Sequence, residues 1–145
     1  MLYLVPIALH ETIPYMHLAF RDDPELNDYA EIKDIPTEQR VRNNYENLAK
    51  LNLDLQGWVI MLDESPIGFS VTCEQPFPML TSFGINVSYR KKDVLLEWLD
   101  NLNDILGDNW MVAMMACNTR AIRFFERNGF AEVVNAEGSI LMMRD

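Results

Sequence analysis

The sequence predicts an α/β protein in which an open mixed sheet is covered by helices on both faces. Three observations predict it. Two strand-length apolar runs, Met79 to Val87 and Trp110 to Ala116, are each followed by a helical pattern, so two strands feed helices in succession. The first of those patterns is a stripe of Val94, Leu95, Trp98, Leu99, Leu102, Ile105 and Leu106, which a helix buries along one side and a strand does not. The remaining strand and helix signals alternate in a way that covers both faces of such a sheet.

Taken in order, Leu2 to Leu9 is apolar and broken only by Pro6, which suits an edge strand because proline has no N–H to give to a ladder. Between Glu11 and about Ala30, the apolar positions Ile13, Tyr15, Met16, Leu18, Ala19 and Phe20 predict a short helix and then a loop broken at Arg21-Asp22-Asp23-Pro24. Ile35-Pro36-Thr37 opens another helix, since Val41, Tyr45 and Leu48 recur at four and three and proline fits a first turn; it ends near Asn52. Gln56 to Leu62 and Ile67 to Cys73 read as a hairpin around the turn Asp63-Glu64-Ser65-Pro66, and Glu74 to Pro78, with two prolines, as a break.

The long helix after Met79 to Val87 closes at Gly107-Asp108-Asn109, and Trp110 to Ala116 follows as a buried strand. Asn118 is then a good N-cap, because its side-chain oxygen takes a free N–H of the first turn. Gly129 is a good stop, because glycine enters the left-handed region at little cost. Between them Ala121, Ile122, Phe124 and Phe125 make an apolar face, and Arg120, Arg123 and Arg127 a basic one. Phe130 to Asn135 and Ser139 to Met143 form a terminal strand pair joined through Ala136-Glu137-Gly138.

Composition narrows the function. A chain of 145 residues, 49% of them hydrophobic, suits one domain, 1–145, with a proper core. Its net charge of -10 excludes general affinity for nucleic acid or an anionic membrane and accommodates a cationic partner. No stretch is apolar for the length of a membrane helix. Cys73 and Cys117 have no paired spacing and no signal peptide precedes them, which points to a reducing cytoplasmic setting without disulfides. Two histidines and two cysteines, scattered without ligand spacing, suggest no metal.

The segment Asn-x-x-Ala-x-x-Phe-Phe-Glu-Arg-x-Gly-Phe, carried by Asn118, Ala121, Phe124, Phe125, Glu126, Arg127, Gly129 and Phe130, resembles the cofactor-proximal helix of the GNAT superfamily of acyl-CoA-dependent N-acetyltransferases. The order of elements is also that of the GNAT fold. The resemblance implies a central mixed, mostly antiparallel sheet of six to seven strands with helices on both faces. It also implies acetyl-CoA as cofactor and a small-molecule or protein amine as acceptor.

The same resemblance places an acyl-CoA pyrophosphate loop, (Arg/Gln)-x-x-Gly-x-(Gly/Ala), over Arg90 to Leu95. Arg90 matches, but Asp93 and Leu95 stand where the family has small residues, so the loop is degenerate. Glycines there let backbone N–H groups reach phosphate oxygens; a carboxylate repels them and a leucine obstructs. Arg90, Lys91, Lys92 and Arg120 nonetheless converge, in the implied fold, on one positive spot of an acidic chain. With Val87 at a strand end and Asn118 at a helix cap, they are the candidate cofactor-binding residues. The family's proton-donating tyrosine falls on Phe125, which has no proton to give. Tyr89 is the candidate acid, with Ser88 and Cys117 as alternatives, and Glu74, at a strand end, is the candidate base, with His10 and His17 as alternatives. Free Cys117 next to the cap reads as a small apolar residue closing a strand rather than a nucleophile.

Two readings follow. In one the chain is an acetyl-CoA-dependent N-acetyltransferase; that reading needs a cleft between the strands ending near Val87 and Ala116, with Leu95 turned away from its mouth. In the other it is a catalytically inactive GNAT-fold protein that binds or assembles with another component or a second copy of itself, as in small divergent phage-encoded relatives.

Overall fold

The computed structural model describes residues 1–21, 23, 54–75, 77–116, 118–136 and 138–144. The helix expected between Ile35 and Asn52 lies outside these residues. Strands β1 (Leu2–Ile7), β2 (Leu55–Leu62), β3 (Ser65–Cys73), β4 (Met79–Ile85), β5 (Met111–Met115), β6 (Phe130–Ala136) and β7 (Ser139–Arg144) form one sheet in the order β1-β2-β3-β4-β5-β7-β6. The α-helices among the described residues are α1 (Ile13–Phe20), entered through a 3-10 turn at Leu9–Thr12, α2 (Lys92–Leu106) and α3 (Thr119–Arg127). Every strand pairing is antiparallel except β4 with β5. The expected mixed, mostly antiparallel sheet is therefore present, and Pro6 does lie on an edge strand.

Several boundaries differ from expectation for identifiable reasons. The first hairpin reverses on Asp63 and Glu64 alone, with Asp63 at φ 56. Pro66, expected in the turn, sits inside β3 where the register against β2 shifts, so its missing N–H interrupts no regular ladder. Strand β4 stops at Ile85, two residues before Val87, because the Asn86 side chain takes the Ser88 N–H at 3.0 Å and starts a 3-10 turn at Val87–Tyr89. Gly107 and Gly129, at φ 86 and 91, end α2 and α3 as expected.

The sheet divides two cores. On one face α2 and α3 pack Trp98, Leu102, Phe124 and Phe125 against Ile60, Ile67, Leu80, Val112 and Met142. On the other, Met16 and Ala19 of α1 pack on Phe69 and Val71. One irregularity in the sheet governs the rest. Against β3, Val71 pairs with Ser82 and Thr72 with Leu80, so Thr81 is an extra residue in β4. Its hydroxyl donates to the Val71 carbonyl at 3.0 Å. A bulge bends its strand and increases the local twist. The parallel ladder to β5 consists of Met79 with Met111 and Leu80 with Val112, and goes no further. The two strands part where the bulge begins.

Beyond the bulge β3 and β4 approach closely. A Cβ on Gly68 would meet the Gly84 carbonyl oxygen at 2.0 Å, and one on Gly84 would meet the Phe69 ring at 2.9 Å and Ala19 at 3.0 Å. Neither position has room for a side chain. Gly68→Ala is expected to cost about 3 kcal/mol, read as a lowered urea midpoint at unchanged slope, because backbone rather than a flexible side chain has to move.

Candidate functional site

Where β4 and β5 diverge, the helices that follow them begin. The α2 N-terminus has no side-chain cap, and its first backbone hydrogen bond runs from the Leu95 N–H to the Lys91 carbonyl at 2.9 Å. The N–H groups of Lys92, Asp93 and Val94 therefore lack helical acceptors and carry the positive end of the helix dipole. At the start of α3 the Asn118 side chain accepts from the Ala121 N–H at 3.3 Å. A cleft of about 930 Å³ opens between these two starts.

Its walls come from four elements. Strand β4 gives Phe83, Gly84 and Ile85; α2 gives Lys92, Leu95, Leu96 and Trp98. Helix α3 gives Asn118, Arg120, Ala121, Phe124, Phe125, Arg127 and Asn128, and the end of α1 contributes Phe20 and Asp23. The floor is aromatic: Phe83 lies 5.5 Å from Trp98 and 5.8 Å from Phe125, centroid to centroid, and the Trp98 N–H donates to the buried Ser70 hydroxyl at 3.0 Å. The rim carries exposed Lys92, Arg120 and Arg127. An apolar base under a cationic mouth suits an elongated ligand with an anionic end.

The predicted site residues divide. Arg90, Lys92, Asn118 and Arg120 are brought together at the cleft. Val87, Tyr89 and Lys91 stand outside its lining: Val87 is in the 3-10 turn, the Tyr89 ring packs against the main core, and the Lys91 side chain is exposed. Glu74 is farther away. It follows β3 at Cys73, which pairs with Met79 at the opposite end of β4 from Ile85. Leu95, which the enzyme reading needs turned away from the mouth, lines the cleft, because the stripe that packs α2 on the sheet continues to its first turn. Asp93 is exposed and outside the lining, so its charge is solvated rather than aimed into the cleft. Phe125 is completely buried beneath the cleft, ringed by Phe83, Trp98, Trp110, Phe124 and Phe130.

Cys117 lies outside the described residues. Cys73 is buried, donates to the Phe77 carbonyl at 3.6 Å, and has its thiol pushed up by burial and then by the Asp54 carboxylate. Sequence reasoning missed Asp23, Asn86 and Arg127. Arg127 had a signal in the basic face of the last helix; Asp23 and Asn86 had none, since their partners are 67 and 68 residues away in the chain.

No protein-family model matches the chain, and no curated protein matches it in sequence. Solved structures do match. An acetyltransferase from Thermus thermophilus superposes with a TM-score of 0.74 at 18% identity, over 99% of this chain and 96% of that one. The chain has the GNAT fold. An aminoglycoside acetyltransferase in complex with coenzyme A and kanamycin matches with a TM-score of 0.68 at 18% identity, over 99% of this chain and 94% of that one. The ribosomal-protein-S18-alanine N-acetyltransferase from Escherichia coli gives 0.62 at 14%, covering 99% of this chain and 93% of that one. In GNAT-fold terms, the element order predicted from the sequence holds throughout the described residues.

Asn118→Ala is expected to lower stability by about 1 kcal/mol and Asn118→Asp to retain most of it, since a carboxylate still accepts from the Ala121 N–H; thermal melting of both variants checks this. Cys73 has less thiolate than a free cysteine at mildly alkaline pH. Mass spectrometry of the Cys73 peptide should show slower alkylation by iodoacetamide in the native protein than after unfolding in urea.

Proposed function

We propose that the chain binds acetyl-coenzyme A in this cleft and transfers the acetyl group to an amine. The observation that carries this reading is the parting of β4 and β5 in front of two helix N-termini and a basic rim. The residues present fit the cofactor. Lys92 and Arg127 offer cations to phosphate groups, and the uncapped N–H groups of α2 offer hydrogen bonds to their oxygens. Among the described residues β4 has no ladder partner on the β5 side beyond Leu80, so its backbone there can pair with an extended chain lying in the gap. Bound there, acetyl-coenzyme A would supply an activated thioester.

The chain's own contribution is orientation and field. The attacking amine must be neutral, because an ammonium has no lone pair. Among the described lining residues there is no hydroxyl, thiol or imidazole to take its proton, and the Asp23 carboxylate, with its side chain 3% exposed, is paired with Arg90. Proton transfer to solvent is the route this lining supports. Lys92 and the α2 amides favour negative charge developing near them. The acidic chain, at net charge -10, favours a basic acceptor, either a small molecule or a protein amine. A free thiol at Cys73 suits a reducing cytoplasm.

A second reading has a specific observation behind it. With Phe125 buried where a proton donor is implied, the chain binds coenzyme A without turnover and acts through an assembly partner or a second copy. Calorimetry with coenzyme A and a thiol-release assay with acetyl-coenzyme A and polyamine acceptors separate the two. Lys92→Ala and Arg127→Ala should each weaken binding about fivefold, and Lys91→Ala, outside the lining, by less than about twofold. No heat at millimolar coenzyme A sinks both readings; binding with no acceptor-dependent thiol release selects the second.

A further inference from the structure

Arg90 was expected at the phosphates, yet its side chain is engaged inward. Its Nε–H donates to the Ile85 carbonyl at 2.8 Å and an Nη2–H to the Asp23 carboxylate at 2.7 Å. The pair is secluded, with side chains 17% and 3% exposed for Arg90 and Asp23. A second tie lies beside it: the buried Asn86 donates through Nδ2 to the Leu18 carbonyl at 2.7 Å while its Oδ1 accepts from the Ser88 N–H. Both ties join the end of α1 to the turn between β4 and α2.

We infer that Arg90, with Asp23 and Asn86, is a positioning residue: the three clamp the β4–α2 turn to α1 and so aim the α2 N-terminus into the cleft, and Arg90 does not itself bind the ligand's phosphates. Three features support this. A guanidinium already bonded on two sides has to break a charge-assisted pair before it reaches a phosphate, and a buried pair that loses one partner leaves an uncompensated charge. The turn it braces has no other regular structure than three residues of 3-10 helix. The helix start beyond it has no side-chain cap to fix its direction. The same clamp explains how a loop with Asp93 and Leu95 at its small-residue positions keeps an open cleft: direction comes from polar struts at its base and not from glycines at its tip.

The coenzyme A part of this inference rests on the proposed function, and the test keeps the two apart. Asp23→Asn retains shape and removes the charge. The clamp predicts about tenfold weaker coenzyme A binding by calorimetry. In the unliganded protein it predicts about tenfold faster deuterium uptake across residues 86–95, with uptake in β7 unchanged. A phosphate-binding Arg90 restrained by Asp23 predicts the opposite sign, tighter binding once Arg90 is released, and that result overturns the inference. Unchanged uptake across residues 86–95 overturns it as well, whether or not coenzyme A binds. If the wild type binds no coenzyme A, the proposed function fails while the uptake measurement still decides the clamp. Should Asp23→Asn not fold, Arg90→Lys replaces it: a lysine keeps the charge but not both bonds, so the clamp predicts the same loss of affinity and faster uptake, and retained affinity with unchanged uptake overturns it.

Discussion

One extra residue in one strand opens the cleft of this molecule. Thr81 is inserted into β4 opposite the continuous run of β3, and its hydroxyl satisfies the Val71 carbonyl that regular pairing leaves aside. The bulge turns β4 away from β5 after two ladder pairs. Had the ladder continued, the sheet would be closed and the two helix starts would face a wall of paired backbone. The close contact of Gly68 and Gly84 fixes where the bent half of β4 goes, because nothing but glycine fits between the strands there.

Electrostatics follows from that geometry rather than from composition. A chain with net charge -10 has no general attraction for anions, yet its cleft gathers Lys92 and Arg120 beside two helix N-termini, with Arg127 in the last turn of α3. Local convergence outweighs the distant carboxylates because exposed charges farther off than a Debye length, about 8 Å at physiological salt, are screened. The one carboxylate among the described lining residues, Asp23, is paired with Arg90 at 2.7 Å. The described lining thus joins cations to apolar surface and holds no hydroxyl, thiol or imidazole.

How much of this the residues announce in advance depends on the range of the interaction involved. Helices α2 and α3 were readable because a stripe such as Val94, Trp98, Leu102, Leu106, or a cap and stop such as Asn118 and Gly129, is a local pattern. The position of the cleft followed from two strands feeding two helices. Its contents followed less well. Arg90 holds Asp23, 67 positions earlier, and no local pattern signals it, since a basic residue next to an expected phosphate loop looks the same whether it points at a ligand or at a distant carboxylate. Glu74 looked like a strand-end acid, and so it is, but at the far end of its strand pair, which only the register reveals. The bulge at Thr81 left no sign either, because threonine is as ordinary in a regular strand as in a bulged one.

The aromatic floor carries a consequence for watching this protein at work. Of its three tryptophans, Trp98 lines the cleft, while Trp110 is sealed against Phe125 and Phe130 and Trp58 sits on β2 with its N–H on the Thr72 hydroxyl. Anything that enters the cleft comes up against one indole and leaves the other two in their surroundings. The molecule carries its own optical gauge of occupancy, and quenching or a spectral shift of intrinsic emission reports filling without a label.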